Sequence, residues 1–171
     1  MPPSVIIALL TLAAILVLMA GEAALSAHNE VALRAKGASE PPDDVYRTMR
    51  WAYPGCFLAI ALEGAITGPA SRDLMVMGLA VFGLAKALKI SAITALGERW
   101  TFRVLVPPGA TLVAHGPYRL IRHPNYVAVI GELIGMAMIV WAPVTGALAL
   151  AGFGSLIWRR IRVEDRALGR H

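Results

Sequence analysis

The chain has 171 residues, of which 57% are hydrophobic and 16% charged, with a formal net charge of +5 at neutral pH. Ordinary soluble domains carry about 25% charged residues, and a soluble domain of this length has no interior large enough to hide the surplus apolar surface. Composition therefore excludes an ordinary soluble domain and predicts an all-α, polytopic integral membrane protein with a single domain over residues 1–171.

In chain order, residues 4–25 form the first apolar run, broken late by Glu22. The run lacks a basic n-region and exceeds the ~7–15 apolar residues of a secretory signal. It is expected to be an uncleaved first helix with the N-terminus outside the cytoplasm. The stretch "SAHNEVALRAKGASEPPDD" reads as an extension of that helix, ending near Gly37 and followed by a Pro-Pro turn. Residues 51–66 form the second apolar segment, with Cys56 as a small packing residue and Glu63 near its end. As the single cysteine, Cys56 excludes an internal disulfide. Residues 74–93 form the third, in which Lys86 and Lys89 are expected to snorkel to the interface.

The linker that follows has turn signals at residues 106–109 and 115–117, an extended piece at 110–114 and a helical turn at 118–122. Pro124 stops that turn, because the residue before proline avoids the helical region, and it suits the first turn of a fourth helix. The final apolar run, residues 126–157, is too long for one span. As a single helix it would reach about 48 Å, against a hydrocarbon core of ~30 Å. Pro143 and Gly146 near its middle predict a helical hairpin, residues 126–140 and 144–158, with both outer ends on one face. "WRRIRVEDRAL" then carries the last helix into water.

Charge supports about five transmembrane helices. On that topology the segments 26–50, 97–125 and 159–171 share one side, and Lys86 and Lys89 lie near it. Of the lysines and arginines only Arg72 falls opposite. Such one-sidedness marks cytoplasmic loops and accounts for the basic character without nucleic acid. Membrane lipids are the expected surroundings.

The polar chemistry gathers in "HGPYRLIRHPNY", residues 115–126. A helix start offers free N–H groups and partial positive charge, and His115, Arg119, Arg122 and His123 surround this one. The combination suits a carboxylate or phosphate. Arg119 alone reads as a topology determinant; Arg122, His123 and Pro124 with Tyr126 read as functional. Arg160 and Glu164, four residues apart, are neighbours on one helical face, which the hairpin returns beside Arg122 and His123. Glu132 is an ionisable residue at membrane depth, a functional candidate by default, and Glu63 a weaker one. Glu22 reads as interfacial. Gly131 and Gly135 read as helix packing, and Trp51, Trp100, Trp141 and Trp158 as interfacial anchors. The sequence has no Walker or GxGxxG motif and no metal-ligand spacing.

At "LVAHGPYRLIRHPNY…E" followed by "RIRVEDRAL" the chain resembles the membrane-integral isoprenylcysteine carboxyl methyltransferase family, over about residues 97–168. "GERWTFRVLVPPG", "AHNE…KGASE" and Glu63 look most like the bacterial branch associated with type III polyketide synthases, whose members methylate alkylpyrone or alkylresorcinol hydroxyls. The prenylcysteine enzymes usually have glycine two positions after the motif tyrosine, where this chain has Ala128.

The resemblance implies S-adenosylmethionine as cofactor and methyl donor. Carried over by position, His115, Gly116, Tyr118, His123, Pro124 and Tyr126 would line its pocket on the cytoplasmic face, with Glu132 near it; Arg122 joins them from the reading above. Arg160 and Glu164 would be catalytic. Residues 1–96 would supply three N-terminal helices, and residues 97–171 the cofactor-binding loop, the hairpin and the catalytic tail. The partner implied is a lipophilic small-molecule substrate entering from the bilayer. Three alternatives stay open: a prenylcysteine or other small-lipid methyltransferase, an NADPH-dependent reductase like the membrane sterol reductases with their related Arg-His-x-x-Tyr element, and a lipid-binding scaffold.

Overall fold

The computed structural model describes residues 1–169. Five α-helices carry the fold: α1 Pro3–Ala35, α2 Tyr46–Thr67, α3 Arg72–Leu96, α4 Pro124–Val140 and α5 Pro143–Ala167. Short 3-10 turns occupy Gly97–Arg99 and Gly116–Arg119. No strand is present among the described residues; one isolated antiparallel bridge joins Ser39 to Val106.

The first apolar run and its polar extension form one uninterrupted helix of 33 residues, about 50 Å long. It stops before Gly37, whose φ of 78° breaks the helical path. Helix α2 starts earlier than hydropathy predicts, at Tyr46, because the backbone N–H of Tyr46 is taken up by Asp44 directly after the Pro-Pro turn (3.0 Å). Ser71 caps α3 by accepting from the backbone N–H of Leu74 at 3.3 Å, which satisfies one of the orphan donors at a helix start. The helical turn expected at residues 118–122 instead falls at Gly116–Arg119. Pro117 sits in its first positions, and Gly116 takes a φ of 57° where a Cβ would lie 3.1 Å from Ala95.

Helix α4 ends at Trp141, a non-glycine residue with positive φ (55°). Thr67 donates to the Trp141 carbonyl at 2.7 Å. Beside it the Glu63 carboxylate accepts from the Val144 N–H (3.1 Å), the Thr145 N–H (2.6 Å) and the Thr145 hydroxyl (2.5 Å). Glu63 is thus a cap supplied by α2 to the start of α5, where a negative charge is favoured. That is a structural post, remote from the polar linker.

Small residues let α3 and α4 approach closely. A Cβ on Gly135 would lie 2.7 Å from the backbone nitrogen of Phe82, and one on Gly78 2.8 Å from that of Ile139. A Cβ on Gly131 would lie 2.8 Å from the Cβ of Ala85. In lipid, packing of this kind holds helices together where the hydrophobic effect cannot. The core of the bundle is apolar, with Phe57, Ile60, Leu133 and Met136 fully buried. Outward-facing side chains are apolar as well, among them Leu10, Val17, Leu84 and Leu148. Pro3–Ala35 and Arg72–Arg99 are each long and apolar enough to cross a membrane, while Pro124–Val140 is apolar but shorter.

Two expectations about buried polar residues change. Lys89 does not snorkel: it is 2% exposed, and together with Lys86 it is ion-paired to Glu22 and Glu132. Glu22 is likewise drawn inward by this pairing. Trp100 is buried and anchors no interface; its carbonyl accepts from the Asn29 amide at 2.8 Å, tying the linker to α1.

Candidate active site

The outer ends of α4 and α5 meet under the linker. Tyr126, at the start of α4, donates its hydroxyl to Glu164 Oε2 at 2.7 Å. His123 Nε2 lies 3.3 Å from Asp165 Oδ1, and its Nδ1 lies 3.9 Å from Glu164 Oε2. Pro124 is fully buried in the first turn of α4, so its ring fixes the backbone from which these two side chains project.

Arg160 is the hub. The residue is 5% exposed, and its guanidinium donates Nε–H to the Tyr126 hydroxyl at 3.3 Å and Nη2–H to the Phe102 carbonyl at 2.5 Å. Its ionic partner is Asp44, in the segment between α1 and α2. Asp44 is held in turn, accepting from the backbone N–H groups of Tyr46 and Val104, each at 3.0 Å. The sequence reading paired Arg160 with Glu164 on spacing alone. Glu164 instead reaches Tyr126, and Tyr126 links the two.

The same segment is strapped to its surroundings by further ion pairs. Glu40 accepts from Arg34 at 2.6 Å and from Arg103 at 2.7 Å. Burial alone would raise the Glu40 carboxyl, but those two hydrogen-bonded cations outweigh it and hold it below the usual carboxylate range. Arg103 also lies over the Tyr46 ring, 4.4 Å from its centroid. Burial, and then the Glu164 charge, pushes the Tyr118 phenol well above its ordinary value, so it is a neutral hydroxyl at physiological pH.

Two cavities share this wall. One, about 140 Å³, lies beneath the linker and is lined by polar side chains including Arg99, Tyr118, Arg122, His123 and Glu164. The other, about 520 Å³, opens between α1, α2 and α5 and is lined mainly by apolar side chains such as Leu16, Met19, Met49, Val129 and Phe153. Thr101, Asn125, Tyr126 and Arg160 line both. Of the candidate residues, Tyr118, Arg122, His123, Tyr126, Arg160 and Glu164 come together here. His115 is exposed, Gly116 packs by α3, Pro124 is buried behind the wall, and Glu132 joins the lysines deeper in the bundle. None of these four lines either cavity.

Sequence reasoning missed Asp44, Phe102 and Asn125. The "PPDD" stretch gave a signal for Asp44, since a second carboxylate after a turn is a ready helix-start acceptor. Phe102 acts through its carbonyl, which no side-chain pattern encodes. No group of three or more His, Cys, Asp or Glu side chains suited to a metal occurs among the described residues.

A hydrophobic bundle with a polar linker folded onto the joined ends of its last two helices defines a class, and comparison with known proteins gives it a family. The model of the isoprenylcysteine carboxyl methyltransferase (ICMT) family matches residues 76–170, more than half of the chain, and the chain belongs to that family. Its methyltransferases are membrane-integral and use S-adenosylmethionine. The chain is 31% identical over 159 residues to the uncharacterized protein YpbQ of Bacillus subtilis, covering 93% of this chain and 95% of that protein. It is 27% identical over 160 residues to an uncharacterized protein of Haemophilus influenzae, covering 93% of each. No solved structure matches the chain. The family match begins within α3, whereas both relatives extend over nearly the whole chain, so α1 and α2 belong to the architecture they share.

Proposed function

We propose that this protein transfers a methyl group from S-adenosylmethionine to an oxygen of a lipophilic acceptor, with the cofactor in the polar cavity and the acceptor in the wider one. The observation that carries this reading is the shared wall of Thr101, Asn125, Tyr126 and Arg160, because methyl transfer requires two ligands in contact and shielded from water. Five membrane-spanning helices would place the polar cavity at the cytoplasmic face of a bacterial inner membrane, in keeping with the distribution of basic residues.

The donor set fits the cofactor. Its carboxylate suits Arg99, Arg122 and His123, its ribose hydroxyls suit Glu164 and Asn125, and its sulfonium suits the faces of Tyr118 and Tyr126. Typical ligand sites enclose ~300–1,000 Å³, so the smaller cavity would have to widen to take the whole cofactor. When bound, S-adenosylmethionine supplies an electrophilic methyl group.

The protein's own groups do the rest. Arg160, fixed by Asp44 and the Phe102 carbonyl, holds the acceptor oxygen as an anion at the shared wall. Glu164 takes the proton of a hydroxyl acceptor through the Tyr126 hydroxyl, to which it is already bonded. Arg160 and Tyr126 would thus set the acceptor oxygen at the shared wall, where a methyl donor held in the polar cavity would meet it. Resemblance to the polyketide-associated branch favours an alkylpyrone or alkylresorcinol hydroxyl; the family description equally suits a prenylcysteine carboxyl, which arrives ionised and needs no base.

Calorimetry on the detergent-purified protein tests the cofactor. S-adenosylmethionine is expected to bind and NADPH not to, with His123→Ala weakening binding about tenfold or more, the loss of one charge-assisted contact. NADPH binding in its place would point to reduction, and binding of neither to a lipid scaffold. Turnover against pH then separates the acceptors. Rate rises with pH through the acceptor's own pKa for a hydroxyl and stays flat there for a carboxyl.

A further inference from the structure

Four charged side chains that the transfer site does not use lie among the apolar helices. Glu22 comes from α1, Lys86 and Lys89 from α3, and Glu132 from α4. Each lysine bridges both carboxylates: Lys86 at 2.8 Å to Glu22 and 2.5 Å to Glu132, Lys89 at 2.7 Å and 3.1 Å. Tyr53 of α2 donates its hydroxyl to Glu132 as well. Two lysines and two glutamates cancel, so the group is neutral. Stability does not explain it, since apolar residues of similar volume commonly hold such a position as well or better. Ionisable groups at membrane depth point to function.

One corner of the quartet reaches a cavity. Lys89 and Tyr53 form part of the wall of the wide cavity, which also carries Arg160 and Tyr126. An ammonium has three N–H donors; on Lys89 one goes to Glu132, and Glu22 is ion-paired with the same nitrogen at 2.7 Å. Its Nζ stands 5.3 Å from the centre of the Tyr53 ring.

Resting on the methyl-transfer reading above, we propose that Lys89, seated against Tyr53, is a second polar anchor in the acceptor cavity and takes an oxygen of the acceptor other than the one methylated. Arg160 and Lys89 then recognise separate oxygens on one head, and the acceptor class is a lipid whose head carries two oxygen functions. A head with a single oxygen leaves the Lys89 donor facing hydrocarbon, and a buried donor deprived of its partner loses its full solvation. Glu22, Glu132 and Lys86 hold Lys89 in place as positioning residues.

The test compares two probes of equal chain length, an alkylphenol and the corresponding alkyl-dihydroxybenzene, by kcat/KM with the full-length protein in detergent. The expected preference for the dihydroxy probe is about tenfold or more, in line with one buried unsatisfied donor. Lys89→Met combined with Glu22→Gln leaves Lys86 paired with Glu132 and the quartet neutral, and the ratio between probes is expected to fall towards one. Should that double variant fail to fold, Tyr53→Phe removes the neighbouring hydroxyl and is expected to erode the same ratio. Equal wild-type rates, or a ratio unchanged in the variants, overturns the proposal. Failure to methylate either probe with S-adenosylmethionine binding intact overturns it too but leaves the methyltransferase reading standing. Loss of cofactor binding as well brings down both.

Discussion

A guanidinium offers five N–H donors in a fixed plane, and at Arg160 the protein commits that plane on three sides: to Asp44, to the Phe102 carbonyl and to the Tyr126 hydroxyl. What remains of it lines both cavities. Asp44 is therefore a positioning residue. Asp44→Ala strands a buried cation, a loss of about 3–5 kcal/mol by analogy with broken buried pairs. Asp44→Asn removes the charge and keeps one acceptor oxygen, which can still serve Arg160 and the Tyr46 N–H while the Val104 N–H loses its partner. It is expected to fold, to bind S-adenosylmethionine normally because Asp44 lies outside the cofactor cavity, and to lower kcat with little change in cofactor KM. A rise in KM with kcat preserved counts against that role. Arg160, Glu164, His123 and Tyr126 were legible in sequence, because polar residues next to an apolar run need a reason to be there. Asp44 was not, for it stands 116 positions from Arg160, in a stretch that reads as a surface turn and outside the region the family model matches.

At the scale of elements, hydropathy places the helices well because each carries a long apolar run, and it misses their ends because caps set those. Glu63 is a clear case. A carboxylate near the end of an apolar helix invites a functional reading, yet it serves the exposed N–H groups of α5. The partners of Lys86 and Lys89 were equally hidden, since both lysines sit where snorkelling is plausible and only the packing of α1, α3 and α4 pairs them. The small-residue seam between α3 and α4 is the opposite case, readable from Gly131 and Gly135. Gly135→Leu forces a side chain against the Phe82 backbone, which cannot move aside as a side-chain tip would. The expected loss is about 1–3 kcal/mol or more, visible as a lower melting temperature in detergent. Gly152, with nothing near its Cβ position, is the control: Gly152→Ala is expected to melt like wild type. Equal melting of the Gly135 and Gly152 variants contradicts the seam.

For the whole molecule, the first three helices do more than pack against the last two. Helix α1 and helix α2 form much of the wide cavity, and the segment between them supplies Asp44. The long polar linker is pinned to that segment by the Ser39–Val106 bridge and by Arg103, which meets Glu30 at 3.2 Å and Glu40 at 2.7 Å. Sequence alone shows the parts of the site but not this closure, because every contact that makes it spans a large separation along the chain. Its consequence is a single polar wall with a cavity on each side. The most direct measurement is single-turnover methyl transfer by Arg160→Gln, with cofactor and acceptor binding measured separately. Both ligands are expected to bind, and the transfer rate to fall about 10²–10³-fold, the usual loss for one pre-set donor at a reacting oxygen. Transfer at the wild-type rate with both ligands bound would contradict the account.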